Sequence, residues 1–439
     1  MRALLVTALV FISLPVILFR PHIGILVWAW LGFMNPHRLA WGFVRSFPFA
    51  AAVAVATLLG MLFTGRWKRP PFSAEGVLLG LFVFWMQITT LFAVNQDGAW
   101  LQWEKVLKIQ FMIFITTMLI RSREQIRALV WVIVVSVGMF GVKGGIFTIL
   151  TGGEHRVLGP DGSFIEGNNE IGLALIMAIP LMRYIQLTSD HKWVRSGLWV
   201  AMSLCVVSVL GTHSRGALLG IATMSGFLVW KSRYRMRLVA AGCILLPSAL
   251  ALMPQKWFDR MNTMRNYEQD GSATGRLNAW GFAYNLAKDR PLAGGGFETF
   301  QQELFAIYAP DPTRWADAHS IYFEVLGEHG FLGLALYLTI GICLWRSCSW
   351  IARRAPDTEE ASELEPLARM VQVSLAAFAV SGAFLGLAYF DLYYNIVAII
   401  IVSKALLVSI HRDQSRPHAV VRPSLRNSYS LRPSVDRAS

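Results

Sequence analysis

From residue 195 to residue 231 the chain is almost unbroken apolar sequence, bracketed by the basic stretches RYIQLTSDHKWVR (183–195) and KSRYRMR (231–237). One helix over those residues would run about 55 Å, whereas the hydrocarbon of a bilayer is about 30 Å thick. Basic clusters mark cytoplasmic loops, so both ends belong on one side and the stretch must fold back as a hairpin. The polar GTHSR (211–215) is its turn. Similar apolar runs recur along most of the chain, with 55% of residues apolar and only 15% charged. That pattern excludes a string of soluble domains and predicts an all-α polytopic membrane protein.

The other basic clusters extend the topology. GRWKRP (65–70), RSREQIR (121–127) and WRSCSWIARR (345–354) join the first two as cytoplasmic loops. NQDGAWLQWE (95–104) and TGGEHRVLGPDGSFIEGNNE (151–170) then face the periplasm. Spans are expected near 47–64, 76–93, 105–120, 126–150, 170–187, 195–212, 215–231, 236–253, 320–345, 368–389 and 391–410. The apolar pieces 3–19 and 23–35 must together make one net crossing, which brings the total to about twelve. The first of them has no small-residue cleavage site and reads as an uncleaved span.

Four segments follow: transmembrane helices over 1–253, a large polar loop with helical pieces over 254–319, transmembrane helices over 320–410, and a basic, disordered cytoplasmic tail over 411–439. Parity places the large loop in the periplasm, and a loop of that size is usually functional. In this setting the net charge of +13 marks membrane sidedness and not a nucleic-acid partner. Cys205, Cys243, Cys343 and Cys348 have neither zinc spacing nor a disulfide pattern.

Cations on the outer side are the exceptions to that charge rule: Lys105, Lys108, Lys143, Arg156, Arg215, Arg276, Arg290 and Arg314 among them. Arg215 tops a hairpin with apolar sequence on both sides, and Lys143 lies within a span. A cation there costs several kcal/mol unless a partner answers it. A bound anion is one answer, and the planar fork of arginine suits phosphate. Snorkelling to lipid phosphate or an internal ion pair is the other. His319 and His329 are about 15 Å apart along a helix, so they cannot serve one reacting atom. His319, at the outer start of a span, is placed either to handle protons or to cap the helix. Glu324 and Glu328 share one helix face. No Walker loop, dinucleotide glycine motif, HExxH or DxD pair is present. These absences predict a site without metal, nucleotide or other cofactor, working on an energy-rich substrate already borne by a lipid.

GTHSRGALLG (211–220), TGR (274–276) and HSIYFEVLGEHGFLG (319–333), in that order, resemble the O-antigen ligase and polymerase superfamily of lipopolysaccharide assembly. MNPHRLAWGF (34–43), FGVKGGIFTILTGG (140–153) and GPDGSFIEGNNEIGLAL (159–175) are similar to its exosortase-associated O-glycosylation ligase branch. The resemblance covers about residues 1–410. It implies a GT-C-type glycosyltransferase in the bacterial inner membrane, with a periplasmic active site and undecaprenyl-pyrophosphate-linked glycan as donor. His319 matches the family's essential histidine, Arg215 the arginine of its SRG turn and Arg276 that of its loop GR motif. Glu328, Gly330 and Gly333 match the E-x-G-x-x-G that follows, and His329 matches nothing.

The implied chemistry makes His319 the general base on an acceptor hydroxyl, with Arg215 and Arg276 neutralising the pyrophosphate leaving group, and the anomeric centre inverts. Lys143, Lys105, Asn168, Asn169 and Glu328 are further candidates for substrate contacts, with Glu328 also read as shaping and packing its helix. Lipid A–core is the expected acceptor. A glycan polymerase and a protein O-glycosylation ligase are alternatives with the same chemistry. A transporter of lipid-linked sugars would show inverted repeats, and the sequence has none evident.

Overall fold

The computed structural model describes residues 2–231 and 271–414, with a few positions between them. Most of the span expected at 236–253, the start of the large loop and the tail from 415 onward lie outside the described residues. The remainder is helical. Helices α1 (Arg2–Phe19), α2 (His22–Met34), α3 (Phe49–Thr64), α4 (Ala74–Leu91) and α5 (Gln96–Leu119) are followed by α6 (Arg123–Leu150), α7 (Asn168–Thr188), α8 (Lys192–Gly211) and α9 (Arg215–Lys231). Beyond residue 270 come α10 (Gly271–Asp289), α11 (Gln302–Tyr308), α12 (Ile321–Arg354), α13 (Leu364–Gly382) and α14 (Asp391–Gln414).

Local chemistry sets the helix starts. The Ser73 and Asn95 side chains accept the Gly76 and Gly98 amides at the heads of α4 and α5. Ser122 and Gln125 form a reciprocal capping box on α6. Among the described residues, seven helices are long and apolar enough to cross a membrane: α1, α4, α6, α7, α8, α12 and α14. Shorter apolar helices lie at α2, α3 and α9. The spans expected at 105–120 and 368–389 fall on α5 and α13, which are not among the seven. The chain is thus an all-helical, polytopic membrane protein.

Helix α7 is apolar all round, and every residue from Ile171 to Met182 is buried. A helix without a polar face belongs in the middle, and α7 packs against α6, α8, α9 and α13. Small residues let neighbours approach closely. A Cβ on Gly145 of α6 would stand 2.2 Å from the Leu204 carbonyl oxygen of α8, and one on Gly60 of α3 would stand 2.6 Å from that of Ile17 in α1.

The span expected at 320–345 runs on to Arg354 and breaks at Gly330 (φ 68°, ψ −170°). The Gly-rich loop before α11 fills the break. Gly295 N donates to Gly327 O (2.8 Å), Gly296 N to Glu328 O (2.8 Å) and Phe331 N to Pro291 O (2.9 Å). Val94, just past α4, donates to Gly295 O (2.8 Å), so α4 ends beside this break.

Candidate active site

The turn between α8 and α9 is built by its own side chains. Thr212 Oγ1 donates to Val209 O (2.7 Å), and Ser214 Oγ accepts the Ala217 amide (3.2 Å) as the cap of α9. His213 takes left-handed backbone (φ 56°), and its ring Nε2 lies 2.9 Å from the Gly153 carbonyl oxygen. Arg215 is therefore the first residue of a capped helix, where the amide dipoles add to its own positive charge. It is half-buried.

Helix α7 starts against this turn. Asn168 Nδ2 donates to Thr212 O (2.8 Å). Glu170 folds back over Gly167, so a Cβ there would stand 2.0 Å from Glu170 Oε2. Asn169 is half-buried and makes no side-chain hydrogen bond among the described residues.

His319 reaches the same place from the other side of the sequence. Asn278 of α10 donates to the carbonyls of Asp311 (2.8 Å) and Arg314 (2.7 Å) and accepts the Asp311 amide (2.8 Å). Trp280 Nε1 donates to Ala318 O (2.8 Å), and its ring stacks on Phe323 at 4.9 Å. These contacts strap the segment before α12 onto α10, which carries Arg276. His319 is half-buried, again in left-handed backbone (φ 42°). Burial holds its imidazole pKa below the ordinary value; the Arg276 charge lowers it further, while Asp317 and Glu170 act in the opposite direction. Arg276 and Glu170 thus both act electrostatically on His319.

The segment between α13 and α14 closes the arrangement. A Cβ on Gly386 would stand 3.8 Å from His319 N. Ala388 N donates to Glu324 Oε2 (3.0 Å), and Phe384 lies between Trp280 and Gly216.

Other residues expected at the site lie elsewhere. Glu328 is 6% exposed, with one oxygen accepting the Glu298 amide (3.1 Å) and the other the Tyr389 hydroxyl. It braces the break in α12. His329 is fully buried, its Nδ1 2.6 Å from Thr89 Oγ1 and its ring edge-on to Phe297, so it ties α4 to α12. Lys105 is exposed on α5, 3.5 Å from Gln102 Oε1. Lys143 is exposed on α6, not paired inside the bundle. Neither contacts His319. Glu170, Asn278 and Trp280 were not singled out in the sequence. The sole hint was an acidic residue in the first turn of an expected helix, an ordinary capping signal.

Half-buried His319 and Arg276, with Glu170 acting on the same imidazole and Arg215 on the α8–α9 turn, bring titratable and cationic groups together in a polytopic membrane protein. Residues 200–338 match the family model described as O-antigen ligase. That match takes in Arg215, Arg276 and His319. A second model, of a family of unknown function, matches residues 1–189 and takes in Asn168 and Glu170. The comparison with curated proteins finds no match. The family supports a ligase- or polymerase-type enzyme; the narrower exosortase-associated branch is not distinguished by the match.

Proposed function

We propose that the protein transfers a glycan from undecaprenyl pyrophosphate to a hydroxyl of lipid A–core, at the periplasmic face of the bacterial inner membrane. His319 takes the proton of the acceptor hydroxyl while that oxygen bonds to the anomeric carbon of the donor. The bond from that carbon to the pyrophosphate oxygen breaks, and undecaprenyl pyrophosphate leaves with the electron pair. Attack from the face opposite the leaving group inverts the anomeric centre. Arg215 and Arg276 receive the charge that develops on the pyrophosphate.

The observation that supports this reading most is the strapping of the segment before His319 onto α10, the helix of Arg276, through Trp280 and Ala318, with the Arg276 and Glu170 charges both acting on the imidazole. Arg276 depresses the imidazole pKa and so keeps the ring neutral, the form a general base requires. Asn169, with an uncommitted amide beside Glu170, adds a polar group for sugar hydroxyls.

The test is transfer by the purified protein from lipid-linked glycan to lipid A–core. Replacing His319 with Ala should cut kcat by about 10²- to 10⁴-fold and leave donor binding intact. Arg215→Gln should chiefly weaken donor binding. Full turnover in the histidine variant removes the base assignment.

A further inference from the structure

Lys143 stands about 10 Å before the end of α6, exposed on the same flank as Val135, Ile146 and Leu150. A lysine so far down a lipid-facing flank is costly without an answering anion. Two cavities meet at its side chain. On the outer side, a 340 Å³ cavity is lined by Lys143, Arg38 and Arg156, with Phe147 and the single carboxylate of Asp161. None of the three cations forms a side-chain hydrogen bond or ion pair among the described residues. Below, a 520 Å³ groove runs from Lys143 to Trp131 between α6, Met182 of α7, and Leu198 and Ala201 of α8. It is almost wholly apolar. From Ile146 to Trp131 it spans about 22 Å of helix, room for a long hydrocarbon chain that runs past the midplane of a core about 30 Å thick.

A basic chamber opening onto an apolar groove, hinged at one lysine, has the polarity of a lipid with a phosphoryl head. Its outer wall adjoins the α8–α9 turn, because Val157 N donates to Gly211 O (2.9 Å). The head of a lipid held here would lie beside the turn that carries Arg215, yet no lining residue is shared with Arg215, Arg276 or His319. We propose that this is the seat of the phosphoryl-headed lipid that anchors the acceptor, separate from the donor's pyrophosphate site. The acceptor role rests on the proposed transfer reaction; the lipid site does not.

Binding is therefore measured without glycan, in nanodiscs of phosphatidylcholine, with fluorescent phosphatidic acid as probe and undecaprenyl phosphate and inorganic phosphate as competitors. The triple variant Arg38→Gln, Lys143→Gln, Arg156→Gln should weaken phosphatidic acid binding about tenfold or more, and Ala201→Phe should weaken it by filling the groove. Lys143→Arg, which keeps the charge, should retain binding and reports that the fold survives. In transfer assays the triple variant should raise the KM for acceptor and leave that for donor unchanged. Unaltered lipid binding in the triple variant overturns the site, as does full displacement by inorganic phosphate, which would need no groove. Preferential displacement by undecaprenyl phosphate, or a raised KM for donor alone, overturns the acceptor role and gives the groove to the donor. Mutation-sensitive lipid binding in a wild-type protein that transfers nothing would count against the transferase reading and leave the site standing.

Discussion

His319 occupies left-handed backbone, which costs a residue with a side chain of order 1–2 kcal/mol. The strap from Asn278 and Trp280 offsets that cost and fixes the ring beside Arg276 and Glu170. The working form is the neutral imidazole, so transfer fails as pH falls through the His319 pKa. Because burial and Arg276 put that pKa below the ordinary 6.5, the acid limb of kcat/KM should lie below the usual histidine range. Arg276→Gln removes a lowering charge and should move the limb to higher pH, whatever it does to the height of the profile. Glu170→Gln removes a raising charge and should move it to lower pH. Coincident limbs in the two variants would take His319 out of the rate law. His319 and Arg215 stand out in the sequence as protic and cationic groups at apolar boundaries, whereas Arg276, inside the polar loop, is singled out only through the resemblance of its GR motif. Glu170 was not legible: a glutamate in the first turn of a helix has an ordinary capping role, and only the fold brings it to His319. Glu328 shows the converse. The resemblance makes it a candidate substrate contact, yet both its oxygens are engaged inside the protein.

At the scale of elements, apolar run length and basic flanks located most helices, because both signals are local. The break in α12 is not local. Its sequence keeps a helical pattern straight through Gly330, and the reason for the bend is the Gly-rich loop from elsewhere in the chain. A Cβ on Gly330 would stand 2.5 Å from the carbonyl oxygens of both Pro291 and Leu292, and φ is 68°. Gly330→Ala should therefore lower the thermal midpoint in detergent, by well over 1 kcal/mol in stability. Gly197 in α8 is the control: it is helical, and a Cβ there meets nothing within 4 Å. Gly197→Ala should hold or raise the midpoint, by up to about 1 kcal/mol. Equal losses at the two positions would mean the break is not a built feature. The same bend carries Glu328 and His329 inward, so transfer should fall in the Gly330 variant even in its folded fraction.

Across the whole molecule, polarity is divided between two ends. His319, Arg215, Arg276 and the basic chamber gather at one. At the other, the basic clusters expected to share a side meet directly, with Arg121 donating to the carbonyls of Lys68 (3.1 Å) and Arg69 (2.9 Å). Just inside that end, Lys404 of α14 lies 3.1 Å from Glu75 of α4 and 2.8 Å from Ser347 of α12, and Ser347 also donates to Glu75. The charge-sidedness of the chain foreshadowed the division; the ion pair escaped because Glu75 and Lys404 are far apart in sequence and look like unrelated helix residues. Glu75 is almost wholly buried, so removing its cation leaves a carboxylate with only the Ser347 hydroxyl to answer it. Lys404→Met should destabilise the protein by about 3–5 kcal/mol, and the double change with Glu75→Gln should recover much of that loss, because no buried charge then remains. The pair lies about 20 Å along α14 from the helix start nearest His319. Turnover per folded molecule should consequently match wild type in the double variant, and a parallel loss of stability and turnover would show that the two ends of the bundle are coupled.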